Sequence, residues 1–445
     1  MLKQFIPLHK YNYNNLRIHN IASMQSTHYS PHMTKSYFST STQSLVNDAS
    51  QRILSTNTNT VYISICTFNI LAPCYRRVAT RRLESDSLSE WLKRHTQIVS
   101  FLHDMNSSIY CLQEYWFGNP RFRGVYERDN YLTQKYTFHG LCRPNYKEDG
   151  IMTMIRSNND NIHRDNTINH NNNNHIQSDN MLINDQHPCQ QSNNIDLKVV
   201  DTHNINYPVS GSRVAMILRI QVRQKLQHND NNQSSGTHTY TNNNNSQSPP
   251  PTSKPSQSHH TESSDTDYRV HGELLLANTH LTFPHGLYDN VQRGKQIRTL
   301  TTSIDKYIEQ NSLTGIATFI VGDMNVDGDC NDDCVYQHLL ATGYLSSYHK
   351  VHGQEPGVTH LTHRGTQLAV DYIMYRQLPP DSTVSNTSHI LPVEPVNSIV
   401  LPEGTSNQVW PQHFKLSDHR PLLTTFAVCL QHDNNTNNDT SDSKL

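Results

Sequence analysis

The chain has few apolar residues, no excess of either charge, no paired-cysteine motif and no long hydrophobic run. Only 34% of its 445 residues are hydrophobic, low for a globular chain, and the mean hydropathy is -0.70. No apolar run approaches the length that spans a bilayer, so stable membrane insertion is not expected. Lys and Arg number 36 against 38 Asp and Glu. There is thus no global basic excess to announce nucleic acid, which leaves only a local basic groove for such a partner. The eight cysteines (Cys66, Cys74, Cys111, Cys142, Cys189, Cys330, Cys334 and Cys429) form no CxxC pair. Three of them, Cys66, Cys111 and Cys429, sit in apolar strand-like runs, where buried free thiols are common. That usage excludes a disulfide scaffold and fits a reduced, intracellular protein. Cys330 and Cys334 lack a second pair to complete a tetrahedral zinc site. Residues 1–47 lack Asp and Glu altogether, but carry Lys3, Lys10, Arg17 and Lys35 among many Ser and Thr. Two readings of that segment stay open, a mitochondrial leader and a polar tail of a cytoplasmic protein.

The low average hides two populations. Apolar runs such as VYISICTFNILA, GELLLANTHL and ATFIVGD alternate with tracts of Asn, His, Ser, Gln and Thr. The polar tracts cannot bury enough apolar surface to offset the entropy of ordering. The expected organisation is a tail or leader over 1–55, one domain over 56–430 with low-complexity inserts at 157–196 and 227–266, and a tail over 431–445. Strands are expected at 61–71, 108–116, 213–222, and in ELLLANTHL, GIATFIVGD, AVDYIMYR and the last apolar run. Helices are expected at 88–104, 289–310 and CVYQHLLAT, the last stopped by Gly343. Residues 379–412 read as a long loop.

Against that frame the polar residues fall in a pattern. Strand after strand carries an acid, amide or histidine at or near its C-terminal edge: Asn69, Glu114, His280, Asp323 with Asn325, Asp371, and Asp418 with His419. Taken singly, an Asn or Asp after a strand is a turn former and a lone His a structural residue. Repeated along the chain, these types match phosphoryl chemistry. Hard divalent cations take carboxylate and amide oxygens, and the reaction needs a placed water and donors to the growing negative charge.

The blocks CTFNILAP, IYCLQEYW, LLLANTHL, IVGDMN, AVDYIMY and SDHRPL, in this order, resemble the endonuclease/exonuclease/phosphatase superfamily of metal-dependent phosphoesterases. FNILAPCYRR is similar to the first motif of its deadenylase and nocturnin-like branch, while EDGIMTMIR, LTFPHG and the THRG of 362–365 resemble a plant and protist subgroup. The leucine-rich repeats of some deadenylases are absent. The resemblance implies an α/β fold, a four-layered α/β sandwich of two packed mixed β-sheets flanked by helices, with the site at one edge of both sheets. It implies Mg²⁺, with Mn²⁺ as a substitute, held by Glu114 with Asn69 and Asp418 in support. It also implies that Asp323 orients or deprotonates the attacking water and Asn325 holds the phosphate. His280 and His419 would donate to the phosphoryl oxygens, with Asp371 orienting His419. The implied substrate is RNA, degraded 3′→5′, or another phosphoester such as a small metabolite, nucleotide or lipid headgroup. Tyr75, Arg76, Arg77, Arg81 and Arg82 read as a basic, aromatic-edged rim for single-stranded RNA, or equally as a solvated loop. Phe283 and His285 read as a base-stacking pair or as loop packing.

The stretch VGDMNVDGDCNDDC (321–334) carries a competing motif. Asp323, Asn325, Asp327 and Gly328 stand where an EF-hand loop begins. Position 12 of such a loop requires a bidentate Glu and is Cys334 here, and the preceding ATFIVG is strand-like. The EF-hand match is therefore incidental.

Overall fold

The computed structural model describes residues 60–157, 195–208, 211–226, 268–286, 288–327, 334–377, 391–403 and 410–430. The chain divides into two units, Met1–Gln51 and Arg52–Leu445, and all described residues lie in the second. The leader or tail, most of the first insert, all of the second, the C-terminal tail, Cys330 and the Cys334 side chain lie outside the described residues.

The first sheet uses six strands: β1 (Thr60–Asn69), β2 (Ile109–Trp116), β3 (Tyr136–Cys142), β4 (Asp149–Arg156), β11 (Val393–Val400) and β12 (Leu422–Cys429). Their order is β11-β12-β1-β2-β4-β3. The second uses β5 (Ile195–Asn206), β6 (Val214–Lys225), β7 (Tyr268–His280), β8 (Ala317–Asp323), β9 (Leu345–Ser346) and β10 (Asp371–Gln377). Their order is β9-β10-β8-β7-β6-β5. Each sheet holds one parallel pair, β1 with β2 and β7 with β8, among antiparallel neighbours. A parallel pair needs a crossover. It is supplied by α1 (Leu88–Met105) in the first sheet and α4 (Asp289–Gln310) in the second. Shorter helices are α2 (Pro120–Glu127), α3 (Asn130–Lys135), α5 (Cys334–Ala341), α6 (Ser347–His352) and α7 (Trp410–His413). Among the described residues, no helix is long and apolar enough to cross a membrane.

Alternation along the strands builds the layers. Ile63, Ile65, Ile109 and Cys111 turn inward to meet Leu274, Leu276, Phe319 and Val321 of the other sheet. Their neighbours Cys66, Phe68, Tyr110 and Leu112 turn outward onto Trp91, Ile98 and Leu102 of α1. In the second sheet Leu275, Ala277 and Ile320 pack on Ile297, Leu300 and Ile304 of α4. Strands buried on both faces read as continuous apolar runs rather than alternating ones, which is how these segments look in the sequence. The result is the four-layered α/β sandwich, two mixed sheets between helices. The three thiols expected inside, Cys66, Cys111 and Cys429, are free and buried.

Two expectations need correction. The span from the first insert to residue 212 contains β5, twelve residues that pair with β6 and continue the second sheet. Its Asp201, Thr202, His203 and Asn204 face solvent at the sheet edge, so its apolar signal is thin. The loop expected over 379–412 contains β11 and α7, the former pinned by pairing to β12 rather than by its own propensity.

The crossover topology brings the C-terminal ends of β1, β2, β7 and β8 to one edge. Two polar features fasten that edge. Between the sheets, Asn278 Oδ1 accepts from Gln113 Nε2 at 3.0 Å, and Asn278 Nδ2 donates to Thr153 Oγ1 at 3.1 Å. At the surface of the first sheet, buried Arg94 on α1 pairs with buried Glu84, Nε donating at 2.9 and 3.0 Å. Its Nη1 donates to the Ile70 and Leu416 carbonyls, each at 2.8 Å, and its Nη2 to Leu71 O at 2.7 Å. One guanidinium thus ties the chain leaving Asn69 to the chain approaching Asp418. Removing one partner of a buried pair strands the other's charge, a cost of about 3–5 kcal/mol. Arg94→Met is therefore expected to lower the stability of the full chain by about that amount in urea unfolding. A loss below about 1 kcal/mol would show that the clamp holds nothing essential.

Candidate active site

The eight residues expected at the site come from six segments and meet at the shared edge. Asp323 lies in register with His280 on one side and Asp371 on the other, a row across three strands. Gly322 permits that row. Its φ is +146°, and a Cβ there would stand 1.9 Å from the Thr279 carbonyl oxygen. Asp371, Asp418 and His419 differ from expectation in one respect. Asp371 opens β10 rather than closing a strand, and Asp418 and His419 precede β12. Both strands run antiparallel to their neighbours, so their N-terminal ends reach the same edge.

Glu114 reaches the site through a defect in the ladder. The register between β2 and β4 shifts between Gln113 and Tyr115, and Glu114 takes φ +58°. Such a bulge re-aims one side chain out of the pleat. Asn69 Nδ2 then bridges the two acids, donating to Glu114 Oε1 at 3.3 Å and to Asp323 Oδ2 at 3.1 Å. The Asn69 oxygen accepts from Leu71 N–H at 3.0 Å, and Ala72 N–H donates to Glu114 Oε2 at 3.1 Å. Ser417 Oγ donates to the Asn69 carbonyl at 2.7 Å and accepts from His419 N–H at 3.2 Å.

Two imidazoles face the same carboxylate oxygen. His280 Nε2 lies 3.3 Å and His419 Nε2 3.7 Å from Asp323 Oδ2. Behind them their partners differ. His419 Nδ1 meets Asp371 Oδ2 at 2.8 Å, whereas His280 Nδ1 meets Arg213 Nη1 at 2.9 Å. Burial alone would lower His419, but Asp371 and Asp323 outweigh it and push it up to about 10. Burial and the neighbouring Arg213 hold His280 well below the ordinary histidine range. Burial raises Asp323 above its ordinary value, and His419 opposes that rise only in part. Asn325, at φ +54°, gives its N–H to Asp323 Oδ1 at 2.9 Å and an amide hydrogen to Leu281 O at 3.0 Å.

The acids suit a cation. Burial, with Asp418 and Asp149 close by, pushes Glu114 up to about 7 against the pull of Arg213 and His419. Burial works against ionised Asp418, but the His360 contact and His419 hold it below its ordinary value. A half-buried carboxylate raised by desolvation and by like charges is a place where a hard divalent cation relieves both. By contrast, the trio Asp323, Asp371 and His419, whose donor atoms lie within 4.8 Å of one another, already holds a cation of its own, the His419 imidazolium between the two carboxylates. The same spacing holds for His360, Asp418 and His419.

Several residues at the site gave no signal in the sequence. His360 stacks on His419, centroids 4.1 Å apart and planes at 13°, and its Nε2 is 3.8 Å from Asp418 Oδ2. It sits in a two-residue strand, too short for any periodicity. Arg213 stands just before an apolar strand, where a cation ordinarily means a solvated strand end. Buried Asp149 accepts from Tyr75 Oη at 2.6 Å and from Arg143 Nη1 at 3.1 and 3.0 Å. The rim expected to be basic is partly neutralised, since Arg76 pairs with Glu84 and Arg82 with Glu90, each at 2.7 Å.

Comparison with known proteins gives the following. No family model matches. A curated relative is an uncharacterized calcium-binding protein of Arabidopsis thaliana, 26% identical over 319 residues, which are 70% of this chain and 50% of the relative. The chain thus spans about half the length of that relative. Among solved structures, the chain is similar to the human nocturnin catalytic domain with bound sulfate (16% identity, TM-score 0.45, 83% of this chain and 94% of that one). It is also similar to Danio rerio TDP2 with a single-stranded DNA product (14%, TM-score 0.45, 82% and 98%). A third is an endonuclease/exonuclease/phosphatase family protein of Bacteroides thetaiotaomicron (12%, TM-score 0.46, 84% and 99%). Likenesses at these scores say nothing of activity, and the chemistry of the site rests on its own residues.

Glu114→Gln separates the two roles of that carboxylate. Without metal the variant is expected to melt higher than the parent chain, because a partly desolvated charge among like charges is gone. Its affinity for Mn²⁺, read by calorimetry, is expected to fall at least about tenfold. A variant that melts lower and binds Mn²⁺ as the parent does would place the cation elsewhere.

Proposed function

We propose that this chain is a metal-dependent phosphoesterase of the endonuclease/exonuclease/phosphatase kind, acting on RNA as a 3′→5′ exoribonuclease. The observation that carries the reading is the grouping around one oxygen. Asn69, His280 and His419 all point at Asp323 Oδ2, within 3.1, 3.3 and 3.7 Å. Glu114 is joined to the same Asn69. An acid poised between an imidazolium and a neutral imidazole, beside a raised carboxylate, is the equipment of phosphoryl transfer to water.

In this reading Glu114 would hold Mg²⁺, or Mn²⁺ in its place, with Asp418 and the Asn69 bridge in support. When bound, the cation draws negative charge from the phosphoryl oxygens. Asp323 orients a water in line with the leaving oxygen and takes its proton as the water oxygen bonds to phosphorus. The P–O bond to the leaving group breaks, and that oxygen gains a proton from solvent at the Asp418 side. His280 and His419 give Nε2–H bonds to the non-bridging oxygens, which gain charge in the transition state. Asp371 keeps the His419 ring turned for that task, and Asn325 steadies the phosphate.

The rings beside His280 support a nucleotide substrate. Half-buried Phe283 lies 4.8 Å from His285 and 6.5 Å from His360, centroid to centroid, which is a surface for stacking a base. A second reading, a phosphatase or phosphodiesterase acting on a small metabolite, nucleotide or lipid headgroup, draws support from the Arg76–Glu84 and Arg82–Glu90 pairs. Arginines so paired offer less charge to a long polyanion. The Arabidopsis relative is described as calcium-binding, and calcium falls in the same hard-cation class.

The full chain with Mg²⁺ is expected to shorten a 5′-labelled RNA ending in oligo(A) from its 3′ end, giving a ladder on a gel. EDTA is expected to stop it, and Asp323→Ala to slow it by about 10²–10⁴-fold. Internal cuts would make the enzyme an endonuclease. Intact RNA at high enzyme, with phosphate released from nucleotides or inositol phosphates, would establish the second reading instead.

A further inference from the structure

We propose that Arg213 is a positioning residue for the reaction above, donating to His280 Nδ1 and so holding His280 as the neutral tautomer with Nε2–H turned toward Asp323 and the phosphoryl group. The inference rests on the phosphoesterase reading for its consequence, but on hydrogen-bond chemistry for its first step. A guanidinium has donors and no acceptor. At 2.9 Å from Arg213 Nη1, His280 Nδ1 must therefore present its lone pair, and the ring proton is on Nε2. That nitrogen is the one 3.3 Å from Asp323 Oδ2.

A chain of contacts delivers the arginine. Asp149 holds Arg143, whose Nε donates to Ser212 O at 3.0 Å and whose Nη2 donates to Gly211 O at 2.6 Å. Those two carbonyls immediately precede Arg213. Gly211 takes φ +106°, and a Cβ there would meet Thr282 Oγ1 at 2.9 Å. Arg213 itself is buried and faces Glu114, Asp149 and Asp323 as well as Arg143. The groups facing His280 are Arg213 at the start of β6, Arg143 between β3 and β4, Asp323 on β8, and His360 and His419 from the segments beside β12.

The chemical need is clear from Asp323. With imidazolium on both sides the carboxylate would be held by two cations and would be a weak base. With Asp371 behind one ring and Arg213 behind the other, one imidazole is charged and one is neutral. Both still present Nε2–H to a phosphoryl oxygen, and Asp323 keeps its power to accept a proton. No carboxylate could replace Arg213 without reversing the tautomer.

The test uses the metal-free full chain labelled with ¹⁵N at histidine, with His280→Gln assigning the resonance. Wild-type His280 is expected to show the Nε2–H neutral pattern without titrating between about pH 6 and pH 8. In Arg213→Met it is expected to titrate within that range, and in Arg213→Lys, which retains a donor, to stay neutral. An Nδ1–H pattern in the wild type, or identical behaviour in the wild type and Arg213→Met, overturns the proposal. With phosphoester substrate, kcat of Arg213→Met is expected to fall on the acid side by about tenfold per pH unit below the new histidine pKa, with KM little changed. A folded variant with the wild-type pH profile overturns the proposal too. The spectra need no substrate, so a chain with the expected tautomer that cuts no phosphoester would sink the proposed function and leave the Arg213–His280 relation standing.

Discussion

A carboxylate buried where two sheets meet governs this molecule's functional edge. Asp323 is fully inside and cannot stay ionised there without partners. It draws one from each direction: an amide from the first sheet through Asn69, a backbone N–H from Asn325, and imidazoles from β7 and from the segment before β12. Losing His419 or the Asn69 amide would remove what opposes burial and raise Asp323 further. The Gln113–Asn278 bond beneath the edge and the Arg94 clamp beside it keep the two sheets and the two loops in the places this grouping requires.

Holding the group together costs local strain. Asn69 ends an ordinary strand, but Leu71, Glu114 and Asn325 all adopt positive φ. Non-glycine residues rarely do so unless their surroundings force it. In Glu114 the strain has a visible result, since the bulge turns its carboxylate from the ladder toward Asn69 and the Ala72 N–H. The edge therefore spends stability on geometry, while the Phe319–Phe426 contact at 5.0 Å and the three apolar layers below it restore it.

What was legible in the sequence follows from which physics acts locally. The crossover helices α1 and α4 announced themselves, because their apolar stripes recur every three or four residues and face one sheet each. The gathering of the eight candidate residues was legible through their order and their company, not through any one of them. β5 was not, since its middle residues Val200–Asn204 face solvent on an edge and pairing with β6 makes it a strand. Arg213, His360 and Arg94 were hidden for a shared reason. Each matters through a residue far away in sequence (His280, His419, Leu416), and no local pattern encodes such a partner. The positions of Asp371 and His419 were misjudged for want of strand direction, which is a property of the sheet and not of the segment.

The double motif at 321–334 makes the same point at smaller scale. Asp323 Oδ1 accepts the N–H of Asn325, a turn closed by a short side chain two residues on. Calcium loops and catalytic strand ends share that Asp-x-Asn device because both need the chain to bend while its oxygens converge. What separates them is the element before the bend and the use of the second oxygen. Here a fully buried strand leads in, and Oδ2 is taken by Asn69 and two histidines of other strands and loops. A calcium loop would aim that oxygen at an ion within its own twelve residues. The turn chemistry is thus common property, and only the long-range partners of Asp323 give it a meaning.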